Sequence, residues 1–418
     1  MESLRFLDNE SAESIRMEFG SPVFVYDEAT LLSRAEAALA FPHAFGLTVR
    51  YAMKAYSNAA ILRIFDQVGL QVDASSGHEV ARAMHAGVGT ERISLSSQEL
   101  PDDFGTLVDD GVKVNLCSLH QLERYAAKFP GSRVGLRFNP GLGSGGTAKT
   151  NVGGPSSSFG IWKDDLERAR SLAEKSNLTI ERIHTHVGSG SDPEVWKKVA
   201  SLSLRIVEAF PKVDTLNLGG GFKVARMSDE KATDLQHVGE PVKRAFEEFA
   251  DRTGRRLQLE IEPGTFLVAN AGCLLTTVQD VSSTGPEGYS FLKLDVGMTE
   301  ILRPCLYGAQ HPIVSLPDQG DAVGVERYVV VGHCCESGDL LTTGPNQPDM
   351  LAPRELAVCG VGDVCVIEGV GAYCATMSAK NYNSYPESPE VLLRTDGSTA
   401  LIRKRQTLDQ ILENEILP

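Results

Sequence analysis

Apolar and polar residues alternate in short runs along the first two thirds of the chain. Between residues 47 and 53, large apolar side chains alternate with small or polar ones, which is the two-residue period of a half-buried strand. The alternation places Lys54 on the small and polar face near the strand's end, just before a helix-like run over residues 58–67. A lysine there is usually solvent-facing. One that loses its proton on desolvation can instead form a Schiff base with an aldehyde cofactor.

Strand-like and helical patterns continue to alternate as far as about residue 272. A strand at 21–26 comes first, and Asp27 is placed to cap a helix over 28–40. Eight later runs have the pattern of strands: 48–53, 70–73, 92–95, 112–116, 133–138, 180–186, 215–218 and 258–262. Helical spacing lies between them, as at 77–86, 164–176, 193–209 and 240–251. This order predicts an α/β architecture, a closed (β/α)8 TIM-type barrel over residues 27–272.

The pattern changes after about residue 273. Short β-type segments, separated by Gly, Pro and Asp turns, occur at 274–281, 291–295, 327–331, 364–367 and 392–394. They predict a second, C-terminal all-β domain, a β-barrel or sandwich, that comprises residues 1–26 and 273–418 and is joined by the N-terminal strand. The Gly/Ser-rich stretch at 141–158 is predicted to be a long functional loop of the barrel.

Composition narrows the classes of function. Of 418 residues, 42% are hydrophobic and 23% are charged, and the formal net charge is −15. This charge argues against binding nucleic acid or an anionic membrane, but a local pocket can still bind an anionic small ligand. No apolar run approaches the roughly 20 residues of a membrane span, and residues 1–14 lack the core of a signal peptide. The eight cysteines form no regular framework or CxxC pair, so we expect reduced thiols in a cytoplasmic protein without a metal site.

Candidate chemical groups stand at predicted strand ends, where a barrel concentrates its active site. The run HTHVGSG at 184–190 combines two histidines with backbone N–H groups and a hydroxyl. Glycines 219–221 would let N–H groups approach a phosphate, although a packing turn is equally common. Glu262 cannot be buried cheaply without a cationic partner, such as a protonated ring nitrogen. In the all-β part, Cys335 is a reactive thiol or a packing residue.

Taken in register, the motifs resemble those of the alanine-racemase-like (fold type III) pyridoxal-phosphate decarboxylases. The resemblance covers nearly the whole chain, and no single motif carries it. The matching runs are YAMKA at 51–55, KTNVGG at 149–154, HTHVGSG at 184–190, GGGF at 219–222, EPG at 262–264, LRPCLYG at 302–308, CESGD at 335–339, GAY at 371–373, MSAKNYNS at 377–384 and LIRKRQT at 401–407.

The resemblance implies pyridoxal 5'-phosphate as cofactor. Lys54 would hold it covalently and be displaced by the substrate amine. His186 would stack on the pyridine ring, and Glu262 would pair with the ring nitrogen and keep it protonated. The residues implied to hold the phosphate are Ser189, Gly219, Gly220, Gly221 and Tyr373.

The resemblance also implies a substrate and an assembly. The expected reaction converts meso-2,6-diaminopimelate to L-lysine and CO2. Cys335, contributed by a partner subunit, would deliver a proton, and Glu336 beside it would grip the substrate's distal end. Arg303 and Tyr307 would bind the distal carboxylate, where a planar guanidinium suits bidentate recognition, and Tyr373 would also contact the substrate. A site shared in this way requires a homodimer.

Two departures from the family pattern keep alternatives open. Thr265 stands where the family usually has an arginine after Glu-Pro-Gly, and Tyr56 replaces a small or amide residue. Arg137 or Lys149 could replace the missing cation. The enzyme could therefore act on a related amino acid, such as D-lysine, D-ornithine or a siderophore or antibiotic precursor. A catalytically silent homologue is a third hypothesis, but the chain keeps both Lys54 and Cys335.

Overall fold

The computed structural model describes residues 2–143, 153–186, 188, 192–318 and 324–418. The chain divides into two compact units. The barrel unit comprises Leu32–Val224 and Lys231–Leu267, and the sheet unit comprises Met1–Leu31, Ala225–Glu230 and Val268–Pro418. The domain boundaries at residues 26 and 272, which the sequence predicts, stay a prediction.

Strands and helices alternate in the first part of the chain, and strands predominate in the last. The strands are β1 (Val23–Asp27), β2 (Leu47–Ala52), β3 (Gln71–Ala74), β4 (Ile93–Leu95), β5 (Lys113–Leu116), β6 (Arg133–Asn139), β7 (Ile161–Trp162), β8 (Thr179–Thr185), β9 (Thr215–Asn217), β10 (Gln258–Ile261), β11 (Gly272–Ser283), β12 (Ser290–Leu294), β13 (Ile313–Leu316), β14 (Val325–Val331), β15 (Thr343–Gly344), β16 (Gln347–Leu351), β17 (Arg354–Ala357), β18 (Val364–Glu368), β19 (Glu390–Leu393) and β20 (Thr399–Arg403). The helices are α1 (Asn9–Phe19), α2 (Glu28–Leu39), α3 (Ala59–Gln67), α4 (Gly77–His85), α5 (Phe104–Asp109), α6 (Leu119–Lys128), α7 (Leu166–Lys175), α8 (Pro193–Glu208), α9 (Leu235–Thr253), α10 (Thr265–Val268), α11 (Arg303–Tyr307) and α12 (Leu408–Leu412).

Eight parallel strands in the described part of the barrel unit form a closed barrel. Their order is β5-β4-β3-β2-β10-β9-β8-β6, and pairing of β5 with β6 closes the ring. The predicted (β/α)8 barrel is therefore confirmed, and each of the eight predicted strands agrees with the structure within one residue at either end. The agreement has a physical cause, because each strand carries apolar residues at a two-residue period and is bounded by turn or cap residues.

Capping side chains at the ends of strands start several of the barrel helices. Asn58 Oδ1 accepts the N–H of Ala60 at 2.9 Å where α3 begins. Ser76 Oγ and Ser118 Oγ accept N–H groups of the first turns of α4 and α6, each at 3.1 Å. Each cap satisfies a donor that the first turn of a helix leaves free. The caps therefore fix where the chain turns from strand to helix, at the rim of the barrel.

The sheet unit contains a large mixed sheet. Its main path is β17-β14-β12-β11-β1-β19-β20, and β18 pairs with both β11 and β13. Strand β1 pairs antiparallel with β11 and parallel with β19, so the N-terminal strand joins the C-terminal sheet as predicted. The five predicted β-type segments correspond to β11, β12, β14, β18 and β19.

Helix α1 was not predicted from the sequence. Its first turn has a capping box, in which Asp8 Oδ1 accepts the N–H of Ser11 at 2.8 Å. Ala12 and Ile15 on its buried face pack into an apolar cluster with residues of the sheet, among them Val25. The helix escaped prediction because its residues are mostly polar, so that only the sheet reveals which face is apolar.

Candidate functional site

Lys54 lies in a tight turn that follows strand β2. The turn is a 3-10 helix over Met53–Ala55, so Lys54 stands one step beyond the strand face on which the alternation places it. Met53 and Ala55 are buried whereas the Lys54 side chain is exposed. The hydroxyl of Tyr51 donates to the backbone oxygen of Tyr56 at 2.6 Å and so ties the two sides of the turn together. This hydrogen bond closes the turn, and the Lys54 side chain on it is accessible to solvent.

The Glu262 carboxylate directly follows strand β10 and is buried. Its Oε2 lies 3.3 Å from His184 Nε2, and its Oε1 accepts a hydrogen bond from Asn217 Nδ2 at 2.6 Å. Burial alone would raise the pKa of Glu262, but interaction with His184 and the charge of Lys54 hold it well below its ordinary value. Glu262 is therefore a buried anion, as a partner for a cationic ring nitrogen has to be.

The Lys54 turn and the Glu262 segment are in direct contact. The N–H of Ala52 donates to the oxygen of Pro263 at 3.2 Å. A Cβ atom on Gly264 would lie 3.2 Å from the Cβ of Ala55 and 3.3 Å from that of Ala52, which is tighter than ordinary packing. Glycine at position 264 therefore allows the two strand ends to approach each other closely.

The His186 ring is held by the glycine turn that follows strand β9. Gly220 N–H donates to His186 Nδ1 at 3.0 Å, which leaves the proton of a neutral ring on Nε2. Burial, with the nearby charges of Arg137 and Lys54, lowers the pKa of His186 well below its ordinary value. Gly219 has a φ of 71°, and a Cβ atom there would overlap the His186 ring. The residue must be glycine for the ring to occupy this position.

The glycine run does more than offer N–H groups to a ligand. Gly219 N–H donates to Asn217 Oδ1 at 2.8 Å, and the Gly220 N–H is engaged by His186. The Gly221 N–H has no recorded acceptor among the described residues, so it is the donor of the three that a phosphate could engage. Ser189, the other barrel residue predicted to hold a phosphate, lies outside the described residues.

Asn217 is a residue that the sequence reasoning missed. Its amide oxygen binds the glycine turn, and its Nδ2 donates to Glu262 and also approaches Glu260 Oε2 at 3.3 Å. Glu260 is in turn held by two buried arginines: Arg50 Nη2 lies 2.9 Å from Oε1 and Arg182 Nε lies 3.1 Å from Oε2. Asn217 thus joins the glycine turn and Glu262 to a firmly paired ionic cluster inside the barrel.

Asp73 on strand β3 is a second residue that was missed. Ser94 Oγ and Ser96 Oγ donate to its Oδ1 at 2.7 Å and 3.1 Å. Burial and the negative charge of Glu262 raise the pKa of Asp73 from 3.8 to about 8, although the charge of Lys54 opposes the rise. An acidic residue at the carboxyl end of a predicted barrel strand was the sequence signal that could have drawn attention to it.

The sheet unit carries the predicted substrate residues. Arg303 begins helix α11, and its Nε donates to His311 Nε2 at 3.4 Å. Tyr307 ends the same helix, and its hydroxyl lies 3.9 Å from Met377 Sδ. Tyr373 has a φ of 57°, an uncommon conformation for a bulky side chain that typically costs about 1–3 kcal/mol. Such strain is typical of functional positions.

Cys335 and Glu336 stand apart from these residues on an exposed turn. The Cys335 N–H donates to Asn383 Oδ1 at 2.8 Å, and Glu336 Oε1 accepts the N–H of Gly338 at 3.0 Å. Buried Asp339 fixes the turn by accepting the N–H of Cys334 at 2.8 Å. Within the described chain no hydrogen bond or ion pair joins Cys335 or Glu336 to the predicted substrate residues on α11. Both side chains are exposed and face away from the packed interior.

Two properties of the described residues bear on other functions. They contain no group of three or more His, Cys, Asp or Glu side chains that could hold a metal ion. Among their helices, none has the length and hydropathy that crossing a membrane requires.

Comparison with known proteins yields matches along nearly the whole chain. A family model described as "Pyridoxal-dependent decarboxylase, pyridoxal binding domain" matches residues 32–269. The chain is 37% identical to the diaminopimelate decarboxylase of Escherichia coli (strain K12) in an alignment of 416 positions that covers 96% of this chain and 95% of that protein. It is 34% identical to the diaminopimelate decarboxylase of Streptomyces coelicolor, over 99% of this chain and 93% of the relative.

The chain is also similar to solved structures of diaminopimelate decarboxylases. A crystal structure of diaminopimelate decarboxylase superposes with a TM-score of 0.90 at 35% identity, and the match covers 99% of both chains. The Helicobacter pylori diaminopimelate decarboxylase complexed with L-lysine has a TM-score of 0.84 at 26% identity, over 96% of this chain and 98% of that one. The barrel and the sheet unit are therefore both represented in these relatives.

Proposed function

This chain belongs to the family of pyridoxal-dependent decarboxylases, and on that premise we propose that it converts meso-2,6-diaminopimelate to L-lysine and CO2, the last step of lysine synthesis. One observation carries the proposal: the buried Glu262 carboxylate is held ionised by His184 near Lys54 and His186. An isolated buried carboxylate would be protonated, so a site that keeps it charged is built to face a cation.

The described residues of the barrel unit fit pyridoxal 5'-phosphate. Lys54 offers an amine on a short hydrogen-bonded turn, Glu262 offers a negative charge, and neutral His186 offers a ring held through its Nδ1. These three groups would hold the aldehyde, the ring nitrogen and the ring face. When bound, the cofactor supplies a sink for the electron pair that CO2 loss leaves behind. The groups proposed for its phosphate are Ser189, the glycine run at 219–221, with Gly221 N–H as donor, and Tyr373.

The protein's own contribution is to hold charges and protons in place. Glu262 keeps a proton on the ring nitrogen, because a nearby carboxylate stabilises the protonated form. Asn217 fixes the Glu262 carboxylate through its 2.6 Å hydrogen bond and at the same time positions the glycine turn through Gly219. Neutral His186 adds no positive charge, so it does not compete with the ring for Glu262.

The substrate's far end and the final proton are assigned to the sheet unit. Arg303 and Tyr307 bind the distal carboxylate, and Tyr373 contacts the substrate. The Cys335 thiol donates the proton that replaces CO2, and Glu336 binds the distal amine. The exposure of Cys335 and Glu336 supports their contribution to the site of a partner subunit, and hence a homodimer with shared active sites. All eight cysteines lie in the described chain as free thiols, which suits a reducing cytoplasmic location.

A second candidate function is decarboxylation of a related amino acid. The observation that favours it is Thr265, the first residue of helix α10, which stands where the family pattern has an arginine. Without that cation, a substrate lacking the distal carboxylate, such as D-lysine or D-ornithine, becomes a competitor. Arg303 argues against it, because such a substrate would leave the guanidinium without an anion.

The test is CO2 release by the cofactor-loaded protein with meso-diaminopimelate, D-lysine and D-ornithine in parallel. We expect turnover with diaminopimelate that exceeds turnover with the other two by about a hundredfold or more, since an unmatched guanidinium or carboxylate costs several kcal/mol. Preference for D-lysine or D-ornithine would replace the first proposal by the second. Absence of turnover on all three, with cofactor bound, would refute both.

A further inference from the structure

Arg226 is a buried cation for which the sequence reasoning found no role. It lies in the short segment Ala225–Glu230 of the sheet unit and is only 8% exposed. Its Nε donates to the oxygen of Gly369 at 2.9 Å, but its Nη2 is buried without a hydrogen-bond partner among the described residues. A guanidinium donor left unpaired in the interior is costly, so such a group is expected to meet an acceptor in the working protein.

Arg226 and Arg303 approach the same short stretch of backbone. Arg303 Nε donates to His311 Nε2 at 3.4 Å, and His311 Nδ1 lies 3.1 Å from the oxygen of Glu368. Arg226 binds the oxygen of the next residue, Gly369. One arginine reaches the end of strand β18 directly and the other reaches it through a histidine, so the two guanidinium groups are neighbours.

No carboxylate forms an ion pair with either guanidinium in the described chain. Glu230 lies close by, but its Oε2 accepts the backbone N–H of Arg226 at 2.7 Å. Burial, together with the charges of Arg226 and Arg303, lowers the pKa of His311 well below its ordinary value, so the ring is neutral. The Glu368 carboxyl accepts the backbone N–H of Arg5 at 3.1 Å and lies 3.9 Å from the Arg5 Nε. Burial and the Arg303 charge lower the pKa of Arg226 to about 9, although Cys374 and Glu230 oppose the fall.

We propose that Arg226 and Arg303 together bind the substrate carboxylate that the reaction leaves in place. This inference rests on the proposed function and names the second cation of its distal subsite. Two guanidinium groups can engage the two oxygens of one carboxylate by charge-assisted hydrogen bonds. Arg226 is thereby a second cation of the distal subsite, and it lies in the sheet unit, as Arg303 does.

Two ligands of the same length isolate this interaction. L-lysine retains the distal carboxylate after decarboxylation, whereas cadaverine has the same carbon chain and amines without it. We expect the cofactor-loaded protein to bind L-lysine more tightly than cadaverine in isothermal titration calorimetry. Arg226→Met should weaken L-lysine binding by about tenfold to a hundredfold. The affinity for cadaverine should stay within about twofold of that of the unmodified protein, because cadaverine has no carboxylate for Arg226 to bind. Arg226→Lys, which keeps a charge, should lie between.

Arg354 is the matched control within the same unit. It is also largely buried, but its Nη1 donates to the oxygen of His311 and its Nη2 donates to Gln310 Oε1 at 2.5 Å, so both groups already have acceptors. Arg354→Met should lower the unfolding temperature without changing the ratio of L-lysine to cadaverine affinity. An unchanged ratio in Arg226→Met and Arg226→Lys would overturn the proposal.

A second titration distinguishes the cofactor's phosphate from the substrate's carboxylate. Loss of affinity for pyridoxal 5'-phosphate but not for pyridoxal in Arg226→Met, with the ligand ratio unchanged, would assign Arg226 to the phosphate and refute the substrate role. The proposed function is tested separately by CO2 release from diaminopimelate in the unmodified protein. If no CO2 is released from diaminopimelate but Arg226→Met weakens L-lysine binding as expected, the carboxylate site is correct and the enzyme acts on another substrate.

Discussion

Replacement of Asp73 by asparagine should stabilise the barrel unit above neutral pH. The folded protein keeps the Asp73 carboxyl protonated, because its pKa is raised from 3.8 to about 8. Ser94 and Ser96 donate to the oxygen that an asparagine would retain, and the amide NH2 would replace the acidic O–H as donor. Asp73→Asn therefore preserves the hydrogen bonds of the protonated acid and removes only its titration.

The sign and the size of this change in stability follow from the difference in Asp73 pKa between the folded and the unfolded protein. Below pH 3.8 the carboxyl is protonated in both the folded and the unfolded protein. Between about pH 4 and pH 8 only the unfolded chain ionises, so the stability of the unmodified protein falls with rising pH and levels off above about pH 8. A shift of about four pH units at about 1.4 kcal/mol per unit sets an upper bound of about 6 kcal/mol. Between pH 6 and pH 8 the variant should gain about 2 kcal/mol relative to the unmodified protein.

Urea unfolding followed by tryptophan fluorescence is a suitable assay. Both tryptophans of the chain, Trp162 and Trp196, belong to the barrel unit that contains Asp73, and the cofactor-free protein avoids quenching by the bound ring. Asp109→Asn, which alters an exposed carboxylate, is the control and should show no pH-dependent difference. A difference between Asp73→Asn and the unmodified protein that stays constant from pH 6 to pH 8 would refute the reasoning, because it would mean that Asp73 is ionised in the folded state.

Three further predictions concern the proposed catalytic arrangement. Glu262→Gln keeps an oxygen that can accept from Asn217 but removes the negative charge. The absorbance of bound cofactor should therefore persist while kcat falls by about a hundredfold or more. An unchanged kcat in steady-state kinetics would contradict the role assigned to Glu262. Asn217→Ala removes the partner of the buried Glu262 carboxylate and of the Gly219 N–H. The free energy of unfolding measured with urea should therefore fall by about 2–4 kcal/mol. A fall below about 0.5 kcal/mol would show that the protein does not need this hydrogen-bond network for stability. Lys54→Ala should lose the visible absorbance of bound cofactor, and Cys335→Ala should keep it but lose most turnover. If the sites are shared in a homodimer, mixing these two inactive variants should restore about a quarter of normal activity by forming mixed dimers, and no recovery after subunit exchange would argue against sharing.

The strands of the barrel could be predicted closely because their signal is local. Each is a short run with apolar residues at a two-residue period, bounded by turn or cap residues, and these runs place all eight strands within one residue. Helix α1 was missed because its mostly polar sequence contains only a few residues, such as Ala12 and Ile15, that become a core against the sheet. Local patterns thus predicted the barrel strands, and they failed for helix α1, where only a narrow face of the helix is buried.

The candidate site was predicted in part. The sequence indicated that Glu262 needs a cationic partner, and the structure adds that His184 lies beside it at 3.3 Å. It also indicated that Lys54 lies near a strand end, and the structure places it on the turn that follows the strand, with an exposed side chain. Asp73 and Asn217 were missed because a polar residue in a short predicted strand does not by itself show which groups it faces.

By itself, the sequence determined the alternation of strands and helices, the C-terminal sheet with its N-terminal strand, and the family resemblance that implies a pyridoxal-phosphate decarboxylase. These properties depend on local periodicity and on motifs of a few residues. Only the tertiary structure decided which polar residues meet: Asn217 bridging the glycine turn and Glu262, Asp73 receiving two serine hydroxyls, and Arg226 beside Arg303. Closing a barrel brings side chains from distant strands within hydrogen-bond distance, and burial then sets their protonation. Neither effect is encoded in any single segment of the chain.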